Sequence, residues 1–150
     1  MFLCTKFGGC DYFKGTFVQH VTGVSGKLDY VRNLENLGID TIDLYYMHHM
    51  DPSAPIEDAV AVVAEYVKEG KVKYIDLSKC TPEELRRAHK VYPITAVQIG
   101  YSAWSTHVET NGVLDACREL GVTVVAYSPL GRGFLTGQIR SFDDLPEDDW

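Results

Sequence analysis

Residues 71–101, KVKYIDLSKCTPEELRRAHKVYPITAVQIGY, contain two short apolar runs on either side of a helical pattern. The first run, KVKYIDLS, and the second, PITAVQIGY, have the length and the β-branched content of buried strands. Between them, Thr81 is followed by Pro82 and then by Glu84, which is the spacing of a helix N-terminus with a capping box. A strand, a helix and a strand in this order predict a parallel βαβ unit.

The same alternation continues in both directions along the chain. We predict five strands, at residues 1–7, 40–48, 71–78, 93–101 and 122–128. The helices between them are predicted at residues 27–37, 56–69, 81 onwards and 113–120, with a Gly-rich loop at residues 8–26. Pro55 suits the first turn of the second helix, and Gly70 and Gly121 suit the positions just past two helix ends.

This order of elements predicts the α/β class with a parallel sheet buried on both faces. Five strands with four intervening helices fit either an open doubly wound sheet or part of a barrel. No G-x-G-x-x-G motif follows the first strand, which removes the main positive sign of a dinucleotide-binding open sheet.

Composition and net charge argue against some classes of binding partner. The chain has 150 residues, of which 45% are hydrophobic and 23% charged, as expected for one globular domain over residues 1–150. A net charge of −7 argues against nucleic acid or an anionic membrane as the main partner. No apolar run approaches a membrane span or a signal peptide, and the four scattered cysteines form no C-x-x-C pair. We therefore expect reduced thiols and a cytoplasmic protein.

Polar residues follow the predicted strands where each strand ends. In parallel α/β folds these carboxyl ends meet at one edge of the sheet and carry the active site. Reading only those positions gives an amine, an imidazole, an amide, phenols and hydroxyls, at Lys6, His48, Ser78, 98–101 and 127–128. Each of them alone is a common surface or structural residue, and their shared position is what indicates a polar site.

Strand parity separates the adjacent histidines in IDLYYMHHMD (42–51). His48 shares a face with Leu44 and Tyr46, whereas His49 is expected to point to the other face. Adjacent histidines on opposite faces cannot easily chelate one metal ion, so the pattern gives no support to a zinc site.

Five segments together resemble the aldo-keto reductase family: TKFG, GIDTIDLYYMH, VAEYVKEGKVKYIDLS, ELRRAHKVYPITAVQIGYSAW and CRELGVTVVAYSPLGRGFLTG. The resemblance covers nearly the whole chain and is nearest to the branch that includes perakine reductase and pyridoxal reductase-like enzymes. It implies an eight-stranded (β/α) barrel that reduces aldehydes or ketones with NADPH, and it aligns this chain with barrel strands three to seven. We therefore expect a partial TIM-type (β/α)8 barrel, unclosed and prone to self-association through its edges.

The resemblance also implies a role for individual residues. The family's catalytic lysine and histidine match Lys6 and His48. Positions that hydrogen-bond the nicotinamide carboxamide match Ser78 and Gln98, and the aromatic residue that stacks on the nicotinamide ring matches Tyr127. The loop that holds the pyrophosphate matches Ser128, Leu130, Gly131 and Gly133, where backbone amides in a Gly-containing turn can donate to phosphate oxygens.

Other family features have no match or are altered. The family's proton-donating tyrosine and its paired aspartate lie on segments that would precede Met1, and the 2′-phosphate-binding cations would follow Trp150. A barrel of this class needs roughly 250 residues, so 150 residues are expected to form an incomplete one. The helix before the second strand is also shortened to NLEN, and we expect it to be stunted.

Three strand-end positions differ from the usual pattern of relatives. Asp76 stands where relatives usually have Gly, Gly100 where they usually have Glu, and Lys79 where Asn or Glu is common. Asp76 either points into the barrel, where it could pair with Lys6, or lies exposed on an unclosed sheet.

Two main hypotheses about function follow. The first is an NADPH-dependent carbonyl reductase with Lys6 and His48 in the site and a small-molecule carbonyl as substrate. The second is a truncated, inactive protein of the same ancestry that binds partners or has no function. A third and weaker hypothesis is a cofactor-binding module akin to regulatory potassium-channel β subunits.

Overall fold

The computed structural model describes residues 1–8, 30, 32–50 and 54–145. Its five strands are β1 (Cys4–Phe7), β2 (Ile42–Met47), β3 (Val72–Ser78), β4 (Ile94–Gly100) and β5 (Thr123–Tyr127). They form one parallel sheet in the order β1-β2-β3-β4-β5. The α/β class is confirmed, and within the described residues the sheet is unclosed, with β1 and β5 at its edges.

The helices that connect β2 to β5 are α1 (Ile56–Lys68), α2 (Pro82–Val91) and α3 (Val113–Leu120). The predicted capping box of α2 is confirmed, because the Thr81 side chain accepts from the Glu84 amide while the Glu84 carboxylate accepts from the Thr81 amide. Gly70 and Gly121 have φ values of +72° and +69°, the left-handed conformation predicted just past α1 and α3.

The strands are shorter than the sequence predicts. The first strand begins at Cys4 instead of Met1, since the ladder starts where Cys4 pairs with Leu44. The second strand ends at Met47, which leaves His48 just beyond it. Residues 32–37 are helical, as predicted, but most of the loop at residues 8–26 and the expected start of that helix lie outside the described residues.

The main core lies between the helices and one face of the sheet. Alternate strand residues face it: Phe7, Tyr45, Met47, Ile75, Leu77, Val97 and Ile99. The helices contribute Val60 and Val63 from α1, Leu85 from α2 and Ala116 from α3, all of them buried. Each buried aliphatic side chain contributes about 1.5–3 kcal/mol, so this layer holds the strands in the register that positions the site. No helix in the described part of the chain is long and apolar enough to cross a membrane.

The opposite face of the sheet, here called the inner face, carries a different set of side chains. The ladder places Lys6, Tyr46, Asp76 and Ala96 side by side on four successive strands. One step nearer the strand ends, it pairs Ser78 with Gln98. Because side chains alternate along a strand, these residues point away from the helices.

Candidate active site

The sheet brings the predicted site residues to one edge. Lys6 is the third residue of β1 and His48 directly follows β2, where its amide donates to the Phe7 carbonyl oxygen over 2.9 Å. Ser78 and Tyr127 are the last residues of β3 and β5, and Gln98 lies two residues before the end of β4. All five strands run in the same direction, so these positions gather at their carboxyl ends.

Lys6 and Gln98 are in direct contact across the inner face, since the Lys6 ammonium donates to the Gln98 side-chain oxygen. Three strand spacings, about 14 Å in a flat sheet, separate β1 from β4. That distance exceeds what the two side chains span together, so the sheet must curve towards its inner face. A residue predicted to be catalytic and a residue predicted to bind the cofactor therefore meet at one point.

The environment of Lys6 is partly apolar. Its ammonium nitrogen lies 5.5 Å from the centroid of the Tyr46 ring. Burial lowers the pKa of Lys6 below its usual value, while the charge of Asp76 acts in the opposite direction. Burial and the Asp76 charge thus act in opposite directions on the pKa of the Lys6 ammonium.

His48 and His49 do not diverge. Their rings stack with centroids 4.5 Å apart and an angle of 26° between the planes. The expectation that His49 points to the other face was wrong, because both histidines lie beyond the end of β2, where the alternation of a strand no longer applies.

His48 is neutral near pH 7. Burial lowers its pKa to about 4, and the charges of His49, Lys6 and Lys79 act in the same direction. A neutral imidazole keeps one N–H donor and one acceptor nitrogen, so His48 can orient a carbonyl group by donating a hydrogen bond.

Asp76 is completely buried on the inner face, with 0% of its surface exposed. This agrees with the hypothesis that it points into the barrel and contradicts the alternative of an exposed side chain. Among the described residues, neither carboxylate oxygen has a hydrogen-bond partner of good geometry, and no ion pair with Lys6 forms. Burial raises the pKa of Asp76 to about 7, although the Tyr46 hydroxyl, the Leu77 amide and the Lys6 charge favour the carboxylate.

Tyr127, the last residue of β5, contacts residues at the ends of the two preceding strands. Its ring lies against Gly100, where an added Cβ would stand 3.2 Å from the Tyr127 hydroxyl oxygen. The Lys79 ammonium lies 5.6 Å from the centre of the same ring. Lys79 itself adopts a left-handed backbone with φ of +58°, a conformation that Asn tolerates better than Lys. Ser78, beside it, is 1% exposed.

The loop after β5 contains the residues matched to pyrophosphate binding. Ser128, Gly131 and Gly133 have φ values of +53°, +54° and +96°. The amides of Gly131 and Gly133 donate to the carbonyl oxygens of Ser128 and Leu130, each over 3.1 Å, so a phosphate would compete with these bonds. The exposed Arg132 lies between the two glycines and adds a cation that the sequence reading missed, although its place in GRG was a usable signal.

A groove of about 560 Å³ opens beside this loop. It is lined by Lys79, Gly100, Tyr127 and Ser128 and by residues at the starts of α2 and α3. Lys6, His48 and Gln98 do not line it, so the groove does not contain the Lys6–Gln98 contact. The described residues hold no group of three His, Cys, Asp or Glu side chains that could bind a metal ion.

The sequential strand order β1-β2-β3-β4-β5, the curvature towards the inner face and the polar residues at the strand ends are those of part of a (β/α) barrel. The chain belongs to the aldo/keto reductase family, whose model matches residues 2–150. It is 50% identical over 157 aligned positions to aldo-keto reductase str7 of Strobilurus tenacellus, and 44% identical over 157 to aldo-keto reductase yakc [NADP(+)] of Schizosaccharomyces pombe. Both alignments cover 100% of this chain but only 44% and 45% of those proteins.

Solved structures agree with this assignment. The thermostable aldo-keto reductase Tm1743, crystallised with the inhibitor epalrestat, matches 83% of this chain and 44% of its own, at 31% identity and a TM-score of 0.73. The glycerol dehydrogenase AKR11B4 of Gluconobacter oxydans matches 86% of this chain and 39% of its own, at 25% identity and a TM-score of 0.80. The chain therefore spans less than half the length of these relatives, in agreement with the predicted partial barrel. The narrower branch inferred from the sequence stays a prediction.

Proposed function

We propose that this chain is the part of an NADPH-dependent carbonyl reductase that carries Lys6 and His48, and that the substrate is a small aldehyde or ketone. The contact that carries the proposal is the hydrogen bond between Lys6 and Gln98, beside a neutral His48. It joins the residues matched to the reacting carbonyl with those matched to the cofactor. The name of one relative includes NADP(+), which supports the choice of cofactor.

The side chains present fit this chemistry. NADPH, when bound, supplies the hydride, and negative charge then develops on the carbonyl oxygen of the substrate. The Lys6 ammonium would lower the pKa of the tyrosine that donates the proton in this family, and His48 would orient the carbonyl group. Ser78 and Gln98 would hold the carboxamide of the nicotinamide, and Tyr127 would stack on its ring. Ser128, Leu130, Gly131 and Gly133 surround the pyrophosphate, with Arg132 as an added cation. No residue of this chain is assigned as the proton donor.

We further propose that residues 1–150 act as one partial domain in the cytoplasm, with neither nucleic acid nor a membrane as a partner. The free thiols of Cys4, Cys80 and Cys117 suit a reducing compartment. The sheet edges β1 and β5 are the surfaces through which we expect self-association.

The test of activity is NADPH consumption with nitrobenzaldehyde, followed at 340 nm with the whole reductase of which we propose this chain to be a part. If the proposal is right, Lys6→Met and His48→Ala each lower kcat/KM by roughly tenfold or more. The matched control Lys90→Met, on the exposed surface of α2, leaves the rate unchanged. Equal rates in Lys6→Met and the wild type would contradict the assignment of Lys6.

A second function is the alternative considered from the sequence. It is a non-catalytic module of the same family that binds partners or retains only the cofactor. Saturable NADPH binding without turnover of any reactive aldehyde would support the cofactor-binding form. A protein with neither property would be a binding module or a non-functional fragment.

A further inference from the structure

Asp76 is a buried carboxylate that the proposed reaction does not yet use. Both of its oxygens lack a hydrogen-bond partner of good geometry among the described residues, although the side chain is fully buried. Leaving a buried carboxylate unpaired costs several kcal/mol in general, so a compensating positive charge is expected nearby.

The ladder places Asp76 beside Tyr46, and Tyr46 beside Lys6, on three adjacent strands. On its other side the neighbour is Ala96, whose side chain is small and uncharged. Of the residues aligned with Asp76 on the inner face, Lys6 is therefore the one that carries a positive charge. Its ammonium lies over the Tyr46 ring, on the Asp76 side of its own strand, as it reaches towards Gln98.

We propose that Asp76 is a positioning residue for Lys6, and that its buried carboxylate, when ionised, stabilises the Lys6 ammonium held over Tyr46 while Gln98 fixes its tip. This inference rests on the proposed function, because it assigns Asp76 to the site that Lys6 serves. Gln98 is neutral and cannot supply the charge, whereas Asp76 can do so across the Tyr46 ring without an ion pair.

The other ionisable groups near Asp76 do not compete for this role. Cys4 on β1 and Tyr46 on β2 have their pKa values raised by burial and by the charge of Asp76, so both are neutral near pH 7. Cys80 and Cys117 lie on the helix side, and burial raises their pKa values as well. The positive charge of Lys79 lowers the pKa of Lys6, and the negative charge of Asp76 opposes that effect.

The experiment measures the reactivity of Lys6 as a function of pH. Trace acetic anhydride acetylates the neutral amine, and mass spectrometry of the Lys6 peptide gives the rate from pH 6 to 11. In Asp76→Asn the midpoint of the profile moves to lower pH, and the rate at pH 8.5 rises by roughly threefold. The control Asp115→Asn, which removes an exposed carboxylate from α3, matches the wild type. Asp76→Ser repeats the test if Asp76→Asn does not fold.

The plateau at high pH separates a charge effect from a packing effect. If Asp76 acts through its charge, the plateau is unchanged and only the midpoint moves. An unchanged midpoint in both Asp76 variants, or a raised plateau alone, would overturn the proposal. The measurement needs no cofactor, so a failure of NADPH to bind would contradict the proposed function while leaving the Lys6 profile readable.

Discussion

Asp76 links the chemistry of the site to the stability of the fold. Burial raises its folded-state pKa to about 7, above the ordinary value of 3.8. Between these two pH values the folded protein binds more protons than the unfolded chain. The contribution of Asp76 to the free energy of unfolding is therefore full below about pH 4 and is lost as the pH rises through about 7.

We predict that Asp76→Asn is more stable than the wild type at pH 8, by an amount on the order of 1–3 kcal/mol. The asparagine carries no charge to desolvate, so the advantage shrinks towards pH 4, where Asp76 is protonated in both states. Urea unfolding of the two proteins at pH 4.5, 6 and 8 measures the difference. A constant difference across this range would show that Asp76 does not titrate as its burial implies.

His48 and His49 show which features of a single residue the sequence predicts and which it does not. The sequence was enough to place His48 at the end of a strand near Lys6, because strand ends are visible as a change from apolar to polar residues. The stacking of the two rings was not predictable, since it depends on backbone angles beyond Met47 that no periodic pattern reports.

At the scale of elements, α2 shows what local sequence determines. Its start at Pro82, its cap at Thr81 and the reciprocal bond from Glu84 depend only on residues within one turn, and all three were predicted. The Lys6–Gln98 contact joins residues that are 92 positions apart and requires the curvature of four strands. Such a contact is a property of the assembled sheet, and the sequence predicted only that both residues lie near its edge.

We predict that Thr81→Ala destabilises the protein by about 1 kcal/mol, because the amide of Glu84 loses its acceptor at the start of α2. Thermal or urea unfolding measures the change. The matched control is Thr106→Ala: Thr106 precedes the short 3-10 helix His107–Glu109 and its side chain makes no capping bond. Equal losses in the two variants would mean that the capping box contributes nothing specific.

At the scale of the whole molecule, the described residues form a curved parallel sheet with helices on its outer face. The match over residues 2–150 and the 44% coverage of str7 agree with the sequence-based expectation of a partial barrel. The inner face carries Tyr46 and Asp76 in the layer below Gln98 and Ser78, all aimed where a complete barrel has its centre. NADPH binding by these residues is the property on which the proposed function depends.

Leu130 offers the most direct test of that property. It lies in the loop matched to the pyrophosphate and is 56% exposed, so a carboxylate there repels phosphate without disturbing the core. Leu37, 42% exposed on the helical residues 32–37, provides the matched control.

The decisive measurement is a fluorescence titration of NADPH against the wild type, Leu130→Asp and Leu37→Asp. We predict saturable binding by the wild type and by Leu37→Asp, and an affinity at least about tenfold weaker for Leu130→Asp, which corresponds to about 1.4 kcal/mol. No saturable signal with the wild type, or equal affinities for all three proteins, would contradict the account.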